Sequence, residues 1–340
     1  MSRTLAVRLD NEGDVLLTGP ALRALAATTD ILDVLVAPSG LAAAELLPEI
    51  CERLVYPAPW SGFDPPPVDA AATRELVAKL ACRGYDRCVV FTSYHQSPLP
   101  MALLARLAGI GFVAATSEDY PGSLLSVRHR RPDGLHEVEA ALDLAYAAGG
   151  RLPAGDDGRP AVQGPLPDVG HLLDDDEPYV VVHPGASVPA RALTAEHAGS
   201  IVEALRATGW RVVVTGGPGD ARLTAPAAAR GALDLGGRTS FAELATVLAH
   251  AHCVVVGNTG PAHLATAVDT PVVSLFSPVV PAERWAPYGR DVVVLGDQRA
   301  ACANTRAREC PVPGHPCVSE VDAAAVVAAV AGLTTGRAAA

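Results

Sequence analysis

Residues 254–268 read Val-Val-Val-Gly-Asn-Thr-Gly-Pro-Ala-His-Leu-Ala-Thr-Ala-Val, an apolar run that stops at glycine, turns through small polar residues and restarts as a helix bearing one histidine. The β-branched residues suit a buried parallel strand. Gly257 and Gly260 let backbone come close to a ligand, and Pro261 suits a first helical turn. The free N–H groups of that turn, with about half a positive charge from the helix dipole, make a seat for a phosphate or diphosphate. His263 lies one turn in, within reach of the same ligand.

Three other apolar runs end in turns of similar chemistry. After His183-Pro184, Gly185-Ala186-Ser187 offers backbone amides and a hydroxyl, and Arg191 offers a charge suited to bidentate phosphate binding. In Gly216-Gly217-Pro218-Gly219-Asp220, the acid either bonds ribose hydroxyls or caps the next helix. Near the N terminus, Arg8-Leu9-Asp10-Asn11-Glu12-Gly13-Asp14 places a carboxylate at a strand's carboxyl end. Asp14 is either a helix N-cap or a general base that takes a proton from a nearby hydroxyl.

Other polar groupings point less clearly to chemistry. Asp174-x-Asp176 belongs to an acidic run, Asp174 to Glu177, that reads as solvated charge. His250-x-His252 beside Cys253 lacks a fourth ligand. Cys302, Cys310, His315 and Cys317 put three thiols and an imidazole into one loop, a metal ligand set or simply free thiols, with no C-x-x-C pair among them. No G-x-G-x-x-G, G-x-x-x-x-G-K, G-x-S-x-G or H-E-x-x-H occurs, which removes the usual dinucleotide fingerprint and most kinase, hydrolase and metalloprotease readings.

The elements that must position these residues alternate strand and helix twice over. Strands are predicted at 4–9, 32–36, 87–92 and 111–114, then at 179–183, 211–215, 253–256, 271–275 and 291–295. Helices are predicted near 18–27, 39–47, 70–82, 98–108 and 136–148, then near 195–208, 219–230, 240–250, 260–268 and 320–331. Such alternation implies parallel sheets with right-handed crossovers. Between the halves, residues 150–178 are dense in proline and glycine and read as a linker. The expected architecture is α/β, with two Rossmann-like domains, 1–165 and 176–340, whose parallel sheets face each other across a cleft.

Composition agrees with two domains. The 340 residues exceed one ordinary core, and 49% of them are hydrophobic. Net charge is −11 and Lys79 is the only lysine, so no basic face for nucleic acid is expected. No apolar run reaches the ~18 residues of a membrane span, and the N terminus enters a strand, so a cytoplasmic location with at most peripheral membrane contact is expected. Seven cysteines without a secretion signal argue against a disulfide framework.

Taken in order, Arg8-Leu9-Asp10, Gly13-Asp14-Val15, Pro20-Ala21-Leu22, His183-Pro184-Gly185-Ala186-Ser187, Gly216-Gly217-Pro218-Gly219-Asp220 and Gly257-Asn258-Thr259-Gly260-Pro261-Ala262-His263-Leu264 resemble the family-nine glycosyltransferases, best known as ADP-heptose heptosyltransferases of lipopolysaccharide core assembly. Leu135-His136-Glu137-Val138, Phe276-Ser277-Pro278 and the Cys310/Cys317 loop also match, so the resemblance covers almost the whole chain. It implies a GT-B fold with an acceptor domain first and a nucleotide-sugar domain second. It also implies an inverting reaction without a required metal or cofactor, the co-substrate being a nucleotide sugar such as ADP-heptose.

Carried over by motif, Asp14 is the base. Ser187, Arg191, Thr259, Gly260 and His263 hold the donor diphosphate, Asn258 meets the donor sugar, Asp220 takes the ribose and Thr239 lies beside the nucleobase. His95, Arg130 and His136 are the candidate acceptor contacts. Two departures bear on substrate. Asn258 stands where the family often has aspartate, and Arg191 where it usually has lysine. The first domain lacks the lysine-rich face suited to an anionic lipid, with Arg128, His129, Arg130, Arg131 and His136 as its one cationic cluster, so a glycan or small-molecule acceptor also fits. Alternatives on the same architecture are a nucleotide-sugar epimerase or hydrolase, and a non-catalytic nucleotide-sugar binding module.

Overall fold

A parallel strand covered on both faces has no polar side to alternate with, and the valine- and leucine-rich runs of this chain fold accordingly. The computed structural model describes residues 1–62, 64–93, 95–173 and 177–335, so Asp174 and Asp176 of the acidic run lie outside the described residues. Two units form, Met1–Gln163 and Gly164–Ala340.

The first unit begins β1 (Arg3–Arg8), α1 (Glu12–Ala26), β2 (Ile31–Val36), α2 (Leu41–Leu46), β3 (Glu52–Val55) and α3 (Ala70–Arg83). It continues β4 (Arg87–Phe91), α4 (Leu99–Leu107), β5 (Phe112–Thr116), β6 (Val127–His129) and α5 (Glu137–Ala147). The second begins β7 (Tyr179–His183), α6 (Ala195–Ala207), β8 (Arg211–Gly216), α7 (Ala221–Ala228), β9 (Leu233–Gly236) and α8 (Phe241–His250). It ends β10 (Cys253–Gly257), α9 (Gly260–Ala267), β11 (Val272–Leu275), α10 (Ala282–Trp285), β12 (Val292–Leu295), α11 (Pro316–Ser319) and α12 (Ala323–Thr334).

Each unit holds one sheet of six parallel strands, ordered β3-β2-β1-β4-β5-β6 and β12-β11-β10-β7-β8-β9. Both follow one plan, in which the first strand lies beside the fourth and the chain winds outward in opposite directions from that pair. The carboxyl ends of β1 and β4, and of β7 and β10, are therefore topological switch points, where open parallel sheets bind ligands. Register places Arg8 opposite Phe91 and Val256 opposite His183, so the turns leaving each pair start level with one another.

The cores follow the strands. Leu5, Val7, Leu35, Leu54 and Val90 meet Leu80, Met101 and Ala105 of the helices. Val180, Val182, Val214, Val255 and Val273 meet Ile201, Leu205, Val326 and Val330. Full burial of such a side chain contributes roughly 1.5–3 kcal/mol, so these contacts fix the strand ends on which the polar turns stand.

Several elements depart from expectation. Strands β3, β6 and β9 were not among the predicted ones, and each is short and polar because it lies at a sheet edge with one side open. Helix α1 starts at Glu12, well before residue 18, and runs through Gly13, Gly19 and Pro20, residues that read as breakers. The 150–178 stretch is held down over much of its length. Arg23 clasps Asp156 at 2.7 Å, Gln163 N–H donates to Leu46 at 2.8 Å, and Thr246 donates to the Pro167 carbonyl at 2.8 Å.

Candidate active site

In the first unit, the site grows from one charged residue in an apolar strand. Arg8 ends β1 only 4% exposed, and a guanidinium so buried must be answered by charge. Its Nε lies 2.8 Å from Asp10 Oδ2 in an ion pair, and its Nη2 donates to Asp14 Oδ1 at 2.9 Å and Ser93 Oγ at 3.0 Å. Gln96 Nε2 completes the cluster by donating to Asp10 Oδ1 at 2.6 Å. Ser93 and Gln96 follow β4, so the cluster sits at the β1/β4 switch point. Burial works against the charge on Arg8, but Asp10, Asp14 and Glu137 outweigh it and raise its pKa. Burial likewise pushes the carboxyl groups of Asp10 and Glu12 upward, in Asp10 against the pull of Arg8.

Asp14 is not the helix cap. Asn11 occupies the N-cap position of α1, and Asp14 lies inside the first turn with its carboxylate turned to Arg8. Gly40 lets the neighbouring loop press against this entry, since a Cβ there would stand 2.9 Å from the Asp10 carbonyl oxygen.

The three acceptor candidates separate. His95 is exposed and close enough to Asp10 to favour its ionised form. Arg130 is exposed and pairs with exposed Glu118 at 3.3 Å, an interaction of small worth in water. His136 is buried at the N-cap of α5, where its Nδ1 accepts from Val138 N–H at 3.1 Å and Glu139 reaches back to its own N–H at 3.0 Å. The two bonds form a capping box.

In the second unit, the turns after β8, β7 and β10, three adjacent strands, press together through positions that only glycine can fill. A Cβ on Gly257 would lie 2.4 Å from the Arg191 carbonyl oxygen, and one on Gly185 would lie 2.1 Å from Asp220 Oδ2. Ser187, Arg191, Thr259, Gly260 and His263 thereby share one strand end, with Ser187 exposed, His263 buried and the others between. Pro261 stands in the first turn of α9 as expected. Asp220 makes no side-chain cap for α7. Its Oδ2 accepts from Gly217 N–H at 2.8 Å and braces the turn instead. Thr239 precedes the Ser240 cap of α8, in a loop tied to the β8 turn by Gly237 N–H donating to Gly216 at 2.8 Å.

Asn258 is tied to the neighbouring turn. It is 4% exposed, its Nδ2 donates to the Ser277 carbonyl and its Oδ1 accepts from Ser277 N–H, both at 3.3 Å. The amide thus clamps the β10 turn to the β11 turn. His183 lies beneath the seat with Nδ1 2.9 Å from Thr215 Oγ1, and burial pulls its pKa down to about 4, with Asp220 opposing.

All seven cysteines are free thiols. Cys302 and Cys317 are buried, and Cys310 donates to the Val312 carbonyl at 3.3 Å. Burial, with the neighbouring thiols, pushes Cys317 up to about 11. Among the described residues no group of three or more His, Cys, Asp or Glu side chains is arranged to hold a metal ion.

Sequence reasoning missed Arg8, Ser93 and Gln96 as a working group. The available signal was an arginine closing a strand whose four preceding residues, Thr4 to Val7, are buried and uncharged.

Two parallel-sheet units, each with a polar cluster at its switch point, define the class as a two-domain α/β protein of open parallel sheets. The sequence profile described as glycosyltransferase family 9 (heptosyltransferase) matches residues 73–315, and the chain belongs to that family. It is 31% identical over 134 residues to lipopolysaccharide heptosyltransferase 3 of Escherichia coli, a stretch covering 36% of this chain and 38% of that protein. It is 33% identical over 211 residues to lipopolysaccharide heptosyltransferase 1 of Pseudomonas aeruginosa, covering 59% and 58% of the two chains. The chain thus aligns with under two thirds of either curated relative. The solved structure of E. coli ADP-heptose lps heptosyltransferase II superposes with a TM-score of 0.77 at 20% identity, over 99% of this chain and 100% of that one. That likeness shows the GT-B fold. Among the described residues no helix is long and apolar enough to cross a membrane.

Proposed function

We propose that this protein transfers a heptose from ADP-heptose to an acceptor hydroxyl, with inversion and without a metal ion. The observation that carries the reading is the convergence of the Gly185–Arg191 and Gly257–His263 turns on one strand end, where amides, an arginine and a helix N terminus share the space a diphosphate needs. Support for the donor comes from family membership and from the solved heptosyltransferase II of E. coli, which is named for ADP-heptose.

The chemistry follows from those groups. Of the two carboxylates on Arg8, Asp14 is the open one, its side chain 24% exposed against 8% for Asp10. Asp14 takes the proton of the acceptor hydroxyl as that oxygen bonds to the anomeric carbon, and the bond to the departing ADP breaks on the opposite face. Negative charge then grows on the terminal phosphate. Arg191 and the N-terminal turn of α9 stabilise it more in the transition state than in the ground state, the task a divalent cation performs elsewhere. Asn258, although clamped to Ser277, keeps one N–H and one lone pair for a sugar hydroxyl. Asp220 and Thr239 flank the nucleoside. The acceptor is a glycan, lipid-linked or small-molecule hydroxyl, and the sparse cationic surface around Arg130 favours one of low negative charge.

The test is a screen of ADP-, GDP-, UDP- and dTDP-sugars by thermal shift, followed by transfer assays. ADP-heptose should give the largest rise in Tm, since a ligand at 100 times its Kd adds about 2.7 kcal/mol to native-state stability. Asp14→Asn should cut kcat by about 10²–10⁴ while ADP affinity holds. Activity should persist in EDTA. A uridine preference or an active Asp14→Asn enzyme would overturn the reading.

A further inference from the structure

Arg8 contacts its two carboxylates through different nitrogens, Nε to Asp10 and Nη2 to Asp14. The arrangement matters because a base that accepts a proton changes charge in mid-reaction, whereas a guanidinium does not. We infer that Arg8 is a positioning residue for the transfer reaction, fixing the Asp14 carboxylate in its ionised form while Asp10 keeps the guanidinium compensated once Asp14 has taken the proton. The inference rests on Asp14 being the base.

The charges balance through the step. Before transfer Arg8 faces two carboxylates. As the acceptor O–H proton moves to an Asp14 oxygen, Arg8 keeps Asp10 as partner, and the proton leaves Asp14 to solvent after product departs. Ser93 Oγ, 3.0 Å from Arg8 Nη2, and Gln96 Nε2, 2.6 Å from Asp10, hold the two ends of the relay in register. The charged and titratable groups facing it are His95 in the loop after β4 and Glu137 on α5, itself paired with Arg131.

Opposite responses from the two partners of Arg8 are the signature. Removing a positive charge makes Asp14 harder to ionise, and removing the like charge of Asp10 makes it easier. The full chain, labelled with ¹³C at aspartate carboxyl groups and carrying His95→Gln to remove that titration, is followed by NMR against pH, with Asp14→Asn assigning the signal. Arg8→Gln should raise the Asp14 midpoint by about one to three units, Arg8→Lys should raise it less, and Asp10→Asn should lower it. With ADP-heptose as donor and water as acceptor, the acid limb of the turnover profile should move in the same directions, and ADP affinity should not change.

An Asp14 midpoint that stays put in folded Arg8→Gln, or moves the same way in Arg8→Gln and Asp10→Asn, overturns the inference. If Arg8→Gln does not fold, Arg8→Lys and Asp10→Asn carry the test by their opposed signs. Midpoints that move as stated beside an Asp14→Asn enzyme of undiminished turnover would leave the electrostatic coupling standing and defeat the base assignment instead.

Discussion

His183 shows how a single buried side chain under the donor seat sets a condition on pH. In the unfolded chain its imidazole titrates near 6.5, but in the fold burial brings it to about 4. Between those values the unfolded state binds a proton that the native state refuses. Stability is therefore full above about 6.5, falls as pH drops toward 4 and then levels, a loss of about 3 kcal/mol. His183→Gln should remove that slope, read as a flatter difference between urea midpoints at pH 7 and pH 4.5, and equal slopes in the two proteins would refute it. At this scale the glycine turns were legible, and Pro261 stands in the first turn of α9 as its residue type suggests. Less legible were the local hydrogen bonds by which a side chain is tied to its own backbone surroundings. His136 caps α5, Asn258 clamps Ser277 and Asp220 braces Gly217, and residue type alone does not distinguish those duties from ligand contact.

At the level of elements, the glycines that end β7 and β10 let turns touch rather than simply bend. Gly257→Ala would drive a methyl group against the Arg191 carbonyl, backbone against backbone, so the Pro189–Arg191 turn must shift. ADP affinity should fall at least about tenfold, or about 1.4 kcal/mol, by calorimetric titration. Unchanged affinity would mean the two turns do not act together. Strands with unbroken valine or leucine runs were readable because burial on both faces demands them. The edge strands β3, β6 and β9 escaped notice because a strand with one open side carries charge, as Glu52, Arg53 and Arg128 do. The start of α1 was hidden by Gly13, Gly19 and Pro20, whose local cost the buried face of that helix outweighs.

Across the whole molecule, the same strand order occurs twice around separate cores. Calorimetry should resolve two unfolding transitions, and ADP should raise chiefly the one belonging to Gly164–Ala340. A single transition would mean that the two units unfold together, and an equal rise in two transitions would place the nucleotide site elsewhere. The alternation of strands and helices made this duplicated plan visible in the sequence. The attachment of residues 150–173 was not visible, because Asp156 and Gln163 look like any polar linker residues until Arg23 and Leu46 are beside them.

The repeated plan also separates two inheritances. The carboxylate relay on Arg8 and the glycine seat near Arg191 are encoded in non-overlapping halves of the gene, each folded about its own sheet. Descendants can therefore revise the recipient of the sugar through changes near β1 and β4 while leaving the fuel molecule's berth untouched, and a chimaera joining the second half to a cousin's first half would be expected to keep its appetite for the original nucleotide.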